Sequence, residues 1–362
     1  MSIQAFQDQV LNGDCIKEMS NLPEKSVDLV FADPPYNLQL TRELFRPDNS
    51  KVDAVTEGWD KFTDFKSYDD FTFSWISACR RVLKDTGTLW VIGSYHNIFR
   101  IGKILQDLGF WILNDVIWIK DNPMPNFRGV RFTNAHETLI WAQKVKGAKY
   151  TFNYQSMKSL NDNIQMRSDW YFPLCTGRER IRINGKKVHK TQKPEALLFR
   201  ILMASTNPED VILDPFFGTG TTGVMAKKLN RHYIGIEQDP GYVQIASERI
   251  LSTEPIPLGK LENHQPRRLP RVPFGSLVET GYLQPGQKLI FSKNQEITAT
   301  ILSDGKIESG DLVGSIHSVA RELLGGIPAN GWELWFIERD GKMVNINTLR
   351  KLALKESTDE KA

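Results

Sequence analysis

Val211-Ile212-Leu213-Asp214-Pro215-Phe216-Phe217-Gly218-Thr219-Gly220-Thr221-Thr222-Gly223 decides the fold. The three apolar residues read as a short buried strand and the glycines as a tight turn. Val224, Met225, Ala226 and Leu229 then mark the inner face of a helix. Strand, glycine-rich turn and helix form the entry to an α/β nucleotide site. The next strand, His232-Tyr233-Ile234-Gly235-Ile236, ends at Glu237, whose carboxylate can accept from both hydroxyls of a ribose. A tight turn with no ligand is the plainer reading, but three glycines and an acid so placed exceed what a turn needs.

Gly218 to Gly223 also satisfies G-x-G-x-x-G, with Glu237 at about the offset of a dinucleotide site's ribose acid. A nicotinamide-dependent oxidoreductase is therefore an alternative. Asp214 and Phe216 weigh against it, because they put charge and bulk where a pyrophosphate needs space and no anion. S-adenosylmethionine suits the turn better. It has no phosphate, carries a positive sulfonium and calls for carboxylates nearby.

Far upstream, Val27-Asp28-Leu29-Val30-Phe31-Ala32 reads as a second buried strand and runs into Asp33-Pro34-Pro35-Tyr36. The two prolines fix their own φ and donate no N–H, so the turn is stiff and rich in carbonyl acceptors. Asp33 adds a carboxylate, and Tyr36 a flat face with a polar tip. Acceptors beside a stacking face suit a nucleobase with an exocyclic amine. The adenine N6 lone pair is delocalised into the ring. Two acceptors on its hydrogens, the Asp33 carboxylate and the Pro34 carbonyl, would localise that pair and stabilise the charge that grows on nitrogen. A proline-rich strand-to-loop turn is the plain alternative.

Taken together, these motifs resemble the adenine-N6 DNA methyltransferases of the permuted β group. There the D-P-P-Y motif precedes the target-recognition region and D-P-F-x-G-x-G-T follows it, as here. His189-Lys190-Thr191-Gln192-Lys193-Pro194 is similar to that family's H-P-T-Q-K-P segment, with Lys190 in place of the usual proline. The resemblance covers nearly the whole chain. Three segments, 31–37, 90–97 and 122–132, more narrowly resemble the cell-cycle-regulated adenine methyltransferases of alphaproteobacteria, whose target is GANTC. It implies catalytic roles for Asp33, Pro34, Pro35 and Tyr36. It implies cofactor contacts from Asp14, Cys15, Asp33, Thr191, Lys193, Asp214, Phe216, Gly218, Gly220, Thr221, Thr222 and Glu237. Val10-Leu11-Asn12-Gly13-Asp14-Cys15 reads as a short strand and turn; the resemblance puts Asp14 on the cofactor's adenine, and a plain Gly-Asp turn stands beside that.

The chain has 362 residues, 40% hydrophobic and 25% charged, as an ordinary globular protein does. Its net charge of +3 leaves room only for a local nucleic-acid surface. Cys15, Cys79 and Cys175 make no C-x-x-C pair and read as reduced thiols; no metal site is expected. No run is long enough to span a membrane, and a cytoplasmic, chromosome-associated protein is expected.

Alternating strands and helices predict a doubly wound, mainly parallel sheet. Strands are expected at 88–92, 110–118 and 137–143, with helices ending at Val82, near 97–107 and over 194–205 and 240–251. Trp75, Trp90, Trp111, Trp118 and Trp141 fall inside these patterns and read as core. Residues 1–251 form the expected catalytic domain, 252–271 a linker, and 272–354 a small α+β accessory domain with a hairpin at Asp304-Gly305.

Candidate contacts to double-stranded DNA fall in four places. Arg42 and Arg46 lie in the irregular stretch 37–65. Asn122 and Arg128 lie in a proline-rich interruption. Arg167, Arg178, Arg180, Lys186 and Lys187 lie in the basic segment near 150–188, beside Trp170 and Tyr171, where stacking and phosphate contact would combine. Ser315, Asn330 and Trp332 lie in polar–aromatic turns of the small domain, where Trp332 serves equally well as core. A solvated basic face is the plain reading of the third group. A cytosine-N4 enzyme, which commonly carries Ser where Asp33 stands, and an inactive DNA-binding regulator are the remaining alternatives. A homodimer is compatible with the sequence.

Overall fold

The structure is a computed structural model that describes residues 2–38, 61–126, 129–177, 179–183, 185–188, 191–257 and 272–359. The expectations for Arg42, Arg46, Arg128, Arg178, His189, Lys190 and linker residues 258–271 lie outside these, as do those for the side chain of Lys186. Two units divide the chain, Met1–His264 and Gln265–Ala362.

The larger unit is built on an eight-stranded sheet. Its strands are β1 (Gln9–Asn12), β2 (Val27–Ala32), β3 (Leu83–Gly93), β4 (Trp111–Lys120), β5 (His136–Gln143), β6 (Asp169–Phe172), β9 (Val211–Asp214) and β10 (His232–Glu237); Arg182–Ile183 (β7) and Lys186–Lys187 (β8) pair separately. The sheet order is β1-β10-β9-β2-β3-β5-β4-β6. The strands from β1 to β3 are parallel, and β5 runs antiparallel to both neighbours. β4 and β6 are parallel to each other, so β5 is the one reversed strand of the eight and the expectation of a mainly parallel sheet holds.

Alternation along β2 explains the layers. Leu29 and Phe31 face one core, with α4 (Tyr154–Ser159), α5 (Glu195–Ser205), α6 (Thr221–Lys228) and α7 (Pro240–Leu251). Val30 and Ala32 face the other, joined by Val27 across a register irregularity before Leu29, with α1 (Cys15–Asn21), α2 (Phe65–Val82) and α3 (Ile98–Asp107). Successive residues of a strand point to opposite faces, so apolar residues at both parities require cover on both. The one polar member, Asp28, takes the Lys84 ammonium at 2.7 Å and the Val211 N–H at 2.9 Å, which ties β2 to β9.

Trp75, Trp90, Trp118 and Trp141 are core, as expected, and Trp90 stacks on Trp141 at 5.1 Å. Trp111 is not: it is 46% exposed at the start of β4, where the Lys146 ammonium covers its face at 3.9 Å. Trp170 departs the other way. It is buried against Trp90 and offers no face to a base, whereas Tyr171, next along the strand, is exposed.

The small unit has β11 (Lys288–Phe291), β12 (Asn294–Ile301), β13 (Ile307–Ser309), β14 (Leu312–Gly314), β15 (Trp335–Arg339) and β16 (Lys342–Asn345) in a six-stranded antiparallel sheet of order β14-β13-β12-β11-β15-β16. Asp304-Gly305 turns the chain between β12 and β13, with Gly305 at a φ of 76°. Its core gathers Phe274, Phe291, Trp332 and Trp335. Trp332, a candidate DNA contact, is instead buried in this core and offers no open face to a base; Arg350 lies over its ring at 4.8 Å. Ser315 and Asn330 cap short helices by accepting from Ser318 N and Trp332 N.

Candidate active site

Four turns at the C-terminal ends of β1, β2, β9 and β10 enclose a cavity of about 670 Å³. This is the strand end at which open α/β sheets hold ligands. Gly13 and Cys15 come from the first turn, Asp33 to Tyr36 from the second, Pro215, Phe216 and Gly218 from the third, and Glu237 from the fourth. Thr191 and Lys193 reach the same cavity from the segment before α5.

The glycine turn does not cradle a phosphate. Four of its N–H groups are already taken: Phe216 N donates to Asp214 Oδ1, Phe217 N to Ile236 O, Gly218 N to Glu237 Oε2 and Gly220 N to Phe217 O. An anion would find these donors spent and would meet the carboxylates of Asp214 and Glu237 beside them. This weighs against the dinucleotide reading.

Glu237 takes Gly218 N at 2.8 Å on Oε2 and Asp239 N at 2.9 Å on Oε1. Burial pushes its carboxyl up, and those N–H groups pull against it. Each oxygen keeps a further lone pair for a ligand hydroxyl.

Asp214, Gly220, Thr221 and Thr222 do not line the cavity. Asp214 takes the Thr222 hydroxyl at 2.6 Å, and burial raises its carboxyl to about 7. Gly220 turns the chain at a φ of 78° and lies so near α7 that a Cβ would come 2.8 Å from Ala246 Cβ. These residues hold the turn; they do not reach into the site. Asp14 likewise caps α1 through Ile16 N and Lys17 N. Cys15 does line the cavity, but burial lifts its thiol to about 12, which leaves it unreactive.

The second turn gathers the charged groups. Asp33 Oδ2 receives the Lys193 ammonium at 2.6 Å, and Tyr36 donates its hydroxyl to Glu137 Oε2 at 2.9 Å. Lys120 sits 2.8 Å from Glu137 Oε1, and Lys193 lies 3.9 Å from Oε2 and 5.3 Å from the centre of the Tyr36 ring. Two carboxylates and two ammoniums thus balance inside the protein. Burial raises the Asp33 carboxyl, and Lys193 pulls against it. Burial would raise Glu137 too, but Lys193 and Lys120 hold it below the ordinary value.

The Pro35 carbonyl is occupied by the Tyr68 hydroxyl at 3.0 Å and the Asn97 amide at 3.4 Å. Pro34 also lines the cavity, and its carbonyl has no hydrogen-bond partner among the described residues. Asn37, at a φ of 54°, then turns the chain away in a conformation that Asn tolerates better than most residues.

Glu137 and Lys120 were missed in the sequence. The only signal was an acid at the head of an apolar strand, opposite Trp118 in register.

The expected DNA contacts are scattered over the surface. Arg167 is exposed and paired with Asp169; Lys187 lies on the short β7–β8 ribbon; Arg180 is half-buried. The Asn122 side chain instead clasps Leu174 N at 2.9 Å.

A cavity at the C-terminal strand ends, lined by Asp33, Glu237 and Asp239, suits a cationic cofactor such as that of the S-adenosylmethionine-dependent methyltransferases better than a pyrophosphate. A family model described as DNA methylase matches residues 27–248, and one described as Restriction Enzyme Adenine Methylase Associated matches residues 259–359. The chain is 46% identical over 354 residues to Type II methyltransferase M.HinfI of Haemophilus influenzae, covering 96% of this chain and 97% of that one. It is 42% identical over 248 residues to Type II methyltransferase M2.MboI of Moraxella bovis, covering 68% and 89%. The solved PvuII DNA methyltransferase (cytosine-N4-specific) shares the fold, at a TM-score of 0.53 and 20% identity over 70% of this chain and 89% of that one. The chain belongs to the DNA methylase family. It is a site-specific DNA methyltransferase whose cofactor is S-adenosylmethionine. No helix among the described residues is long and apolar enough to cross a membrane.

Proposed function

We propose that the enzyme methylates N6 of adenine in duplex DNA, within GANTC, after the base leaves the stack. The observation that carries this is the acceptor pair on one cavity wall, the buried Asp33 carboxylate and the available Pro34 carbonyl, beside the Tyr36 ring. The residues fit the cofactor: Glu237 presents lone pairs for ribose hydroxyls, and Phe216 and Pro215 offer an apolar wall. When bound, S-adenosylmethionine supplies an electrophilic methyl group. Asp33 and Pro34 accept from the two N6 hydrogens, which localises the lone pair and stabilises the charge that forms on nitrogen. Tyr36 stacks on the freed ring. A duplex hides N6, so extrusion precedes these contacts.

Adenine is favoured over cytosine by Asp33, where cytosine-N4 enzymes commonly carry Ser, and by the adenine-methylase-associated description matched over residues 259–359. GANTC, and a role tied to the cell cycle, rest on the resemblance of segments 31–37, 90–97 and 122–132. GANTC reads alike on both strands, so a two-fold protein would suit it; light scattering tests the homodimer. Arg167, Arg180 and Lys187 supply the phosphate contacts in this reading, in the cytoplasm where the chromosome lies. Residues 272–354 assist DNA recognition through surfaces other than Trp332.

The test is to map methylated positions in DNA from cells that express the chain. N6-methyladenine confined to GANTC is expected. N4-methylcytosine would overturn the base assignment, and a different adenine context would overturn only the sequence. Asp33→Ala should cut single-turnover methyl transfer by about 10²–10³-fold; an active variant would remove the base grip from Asp33.

A further inference from the structure

Glu137 lies behind the Asp33 to Tyr36 turn and does not line the cavity. It opens β5, whose following residues Leu139, Trp141 and Ala142 are buried and apolar. A buried carboxylate is expensive to desolvate, and an apolar residue of similar size is often as good for stability. Packing therefore gives no reason for an acid here. The hydrogen bonds do. Oε2 takes the Tyr36 hydroxyl at 2.9 Å, and Oε1 takes Lys120 at 2.8 Å. Lys193, the partner of Asp33, is 3.9 Å from Oε2. The carboxylate thus touches both halves of the base grip, the stacking ring and the ammonium on the acceptor.

A tyrosine ring is soft about its second torsion, so packing alone sets its tilt loosely. The hydroxyl oxygen lies on the axis of that torsion, so anchoring it fixes where the ring sits, and because the O–H prefers the ring plane the direction of its bond to Glu137 also biases the tilt. We propose that Glu137 is a positioning residue for methyl transfer: through the Tyr36 hydroxyl it sets the face on which the target base stacks, and through Lys193 it limits how closely the ammonium is drawn onto Asp33. Lys120 is its counter-ion and completes the neutral set. The inference rests on the base-grip reading of Asp33 and Tyr36 given above.

Glu137→Gln keeps the shape and a hydrogen-bonding oxygen but removes the charge. In the full-length enzyme, S-adenosylmethionine affinity by calorimetry should be unchanged, since Glu137 is outside the cavity. Single-turnover methyl transfer should fall by about 10²-fold, the scale of a small misalignment. With 2-aminopurine in place of the target adenine, the complex should be brighter than wild type, because the extruded base loses its stacking partner. Tyr36→Phe should reproduce both effects, and the double variant should be no slower than the slower single one. The inference fails if Glu137→Gln turns over at the wild-type rate, if the two losses add, or if cofactor affinity falls as far as the rate. Should Glu137→Gln not fold, Tyr36→Phe decides: full activity overturns the role, and slow turnover with a bright base supports it. Asp33→Ala keeps the two readings apart. An active Asp33→Ala sinks the grip itself, whereas inactive Asp33→Ala beside active Glu137→Gln sinks only the role of Glu137.

Discussion

The Lys193 ammonium rests 2.6 Å from Asp33 Oδ2, across 160 positions of chain. The family resemblance assigned Lys193 to the cofactor. Its side chain does reach the cavity, but its charge is committed to Asp33, the acceptor proposed to grip the base. A carboxylate so enclosed, without a cation, would hold its proton more tightly and be a weaker acceptor for N6.

Lys193→Met should therefore raise the Asp33 pKa further, because a positive neighbour that favours the ionised form is gone. Methyl transfer should fall at neutral pH and partly recover in alkaline buffer, with the acid limb of the single-turnover profile moved up. A loss of equal size at every pH would mean that Lys193 acts on something other than Asp33.

Asp214 gives a pH effect on stability. Its carboxyl sits at about 7 in the fold against an ordinary 3.8. The folded state binds the proton more tightly, so the contribution is complete below pH 3.8 and is lost as pH rises through about 7. Asp214→Asn mimics the protonated form and should flatten the decline in melting temperature over that interval. Asp33, Asp210 and Glu237 shift the same way, so a reduced slope is expected, not a level one. An unaltered slope would show that Asp214 is ionised throughout.

Gly235 tests the packing beneath the glycine turn. A Cβ there would lie 2.5 Å from the Phe217 ring, which stacks on Tyr233 and has no room to withdraw. Gly235→Ala should destabilise the catalytic unit by about 1–3 kcal/mol in denaturant titrations. Phe217→Leu in the same background should restore part of it. A neutral Gly235→Ala would mean that the turn shifts freely.

Trp332 decides between a core and a surface role in the small unit. Its indole is buried with Phe274, their ring centres 6.0 Å apart. Trp332→Ala should destabilise that unit by about 3–5 kcal/mol, read from its own unfolding transition. Unchanged stability with lost DNA affinity would return the residue to base stacking.

The motifs at strand ends were legible because each combines an apolar run with residues that punish continuation: Asp33 with two prolines, Asp214 with the glycines. β2 begins and ends where the sequence put it. What was not legible depended on tertiary neighbours. The reversed direction of β5 leaves no mark in its own residues, since alternation is the same in either sense. Trp111 and Trp170 look alike in sequence, yet one opens a strand at the rim and the other stacks inside it. Gly220, Thr221 and Thr222 match a ligand motif but lie off the cavity: Gly220 N closes on Phe217 O and the Thr222 hydroxyl on Asp214. Glu137 has no motif; its partners Tyr36 and Lys193 come from distant segments.

The hydrogen bond between Val211 N and Asp28 joins strands 183 positions apart. On the ribosome, at about 5–20 residues per second, β9 emerges about 10–40 s after β2. For that interval β2 can pair with β3 on one side only, and its other edge stays open, a surface prone to wrong pairing. The Asp33 turn, the glycine turn and Glu237 come together only after β10 has been made. A nascent or prematurely terminated chain that lacks β10 therefore has no complete cavity, and it carries the open edge of β2 until β9 arrives.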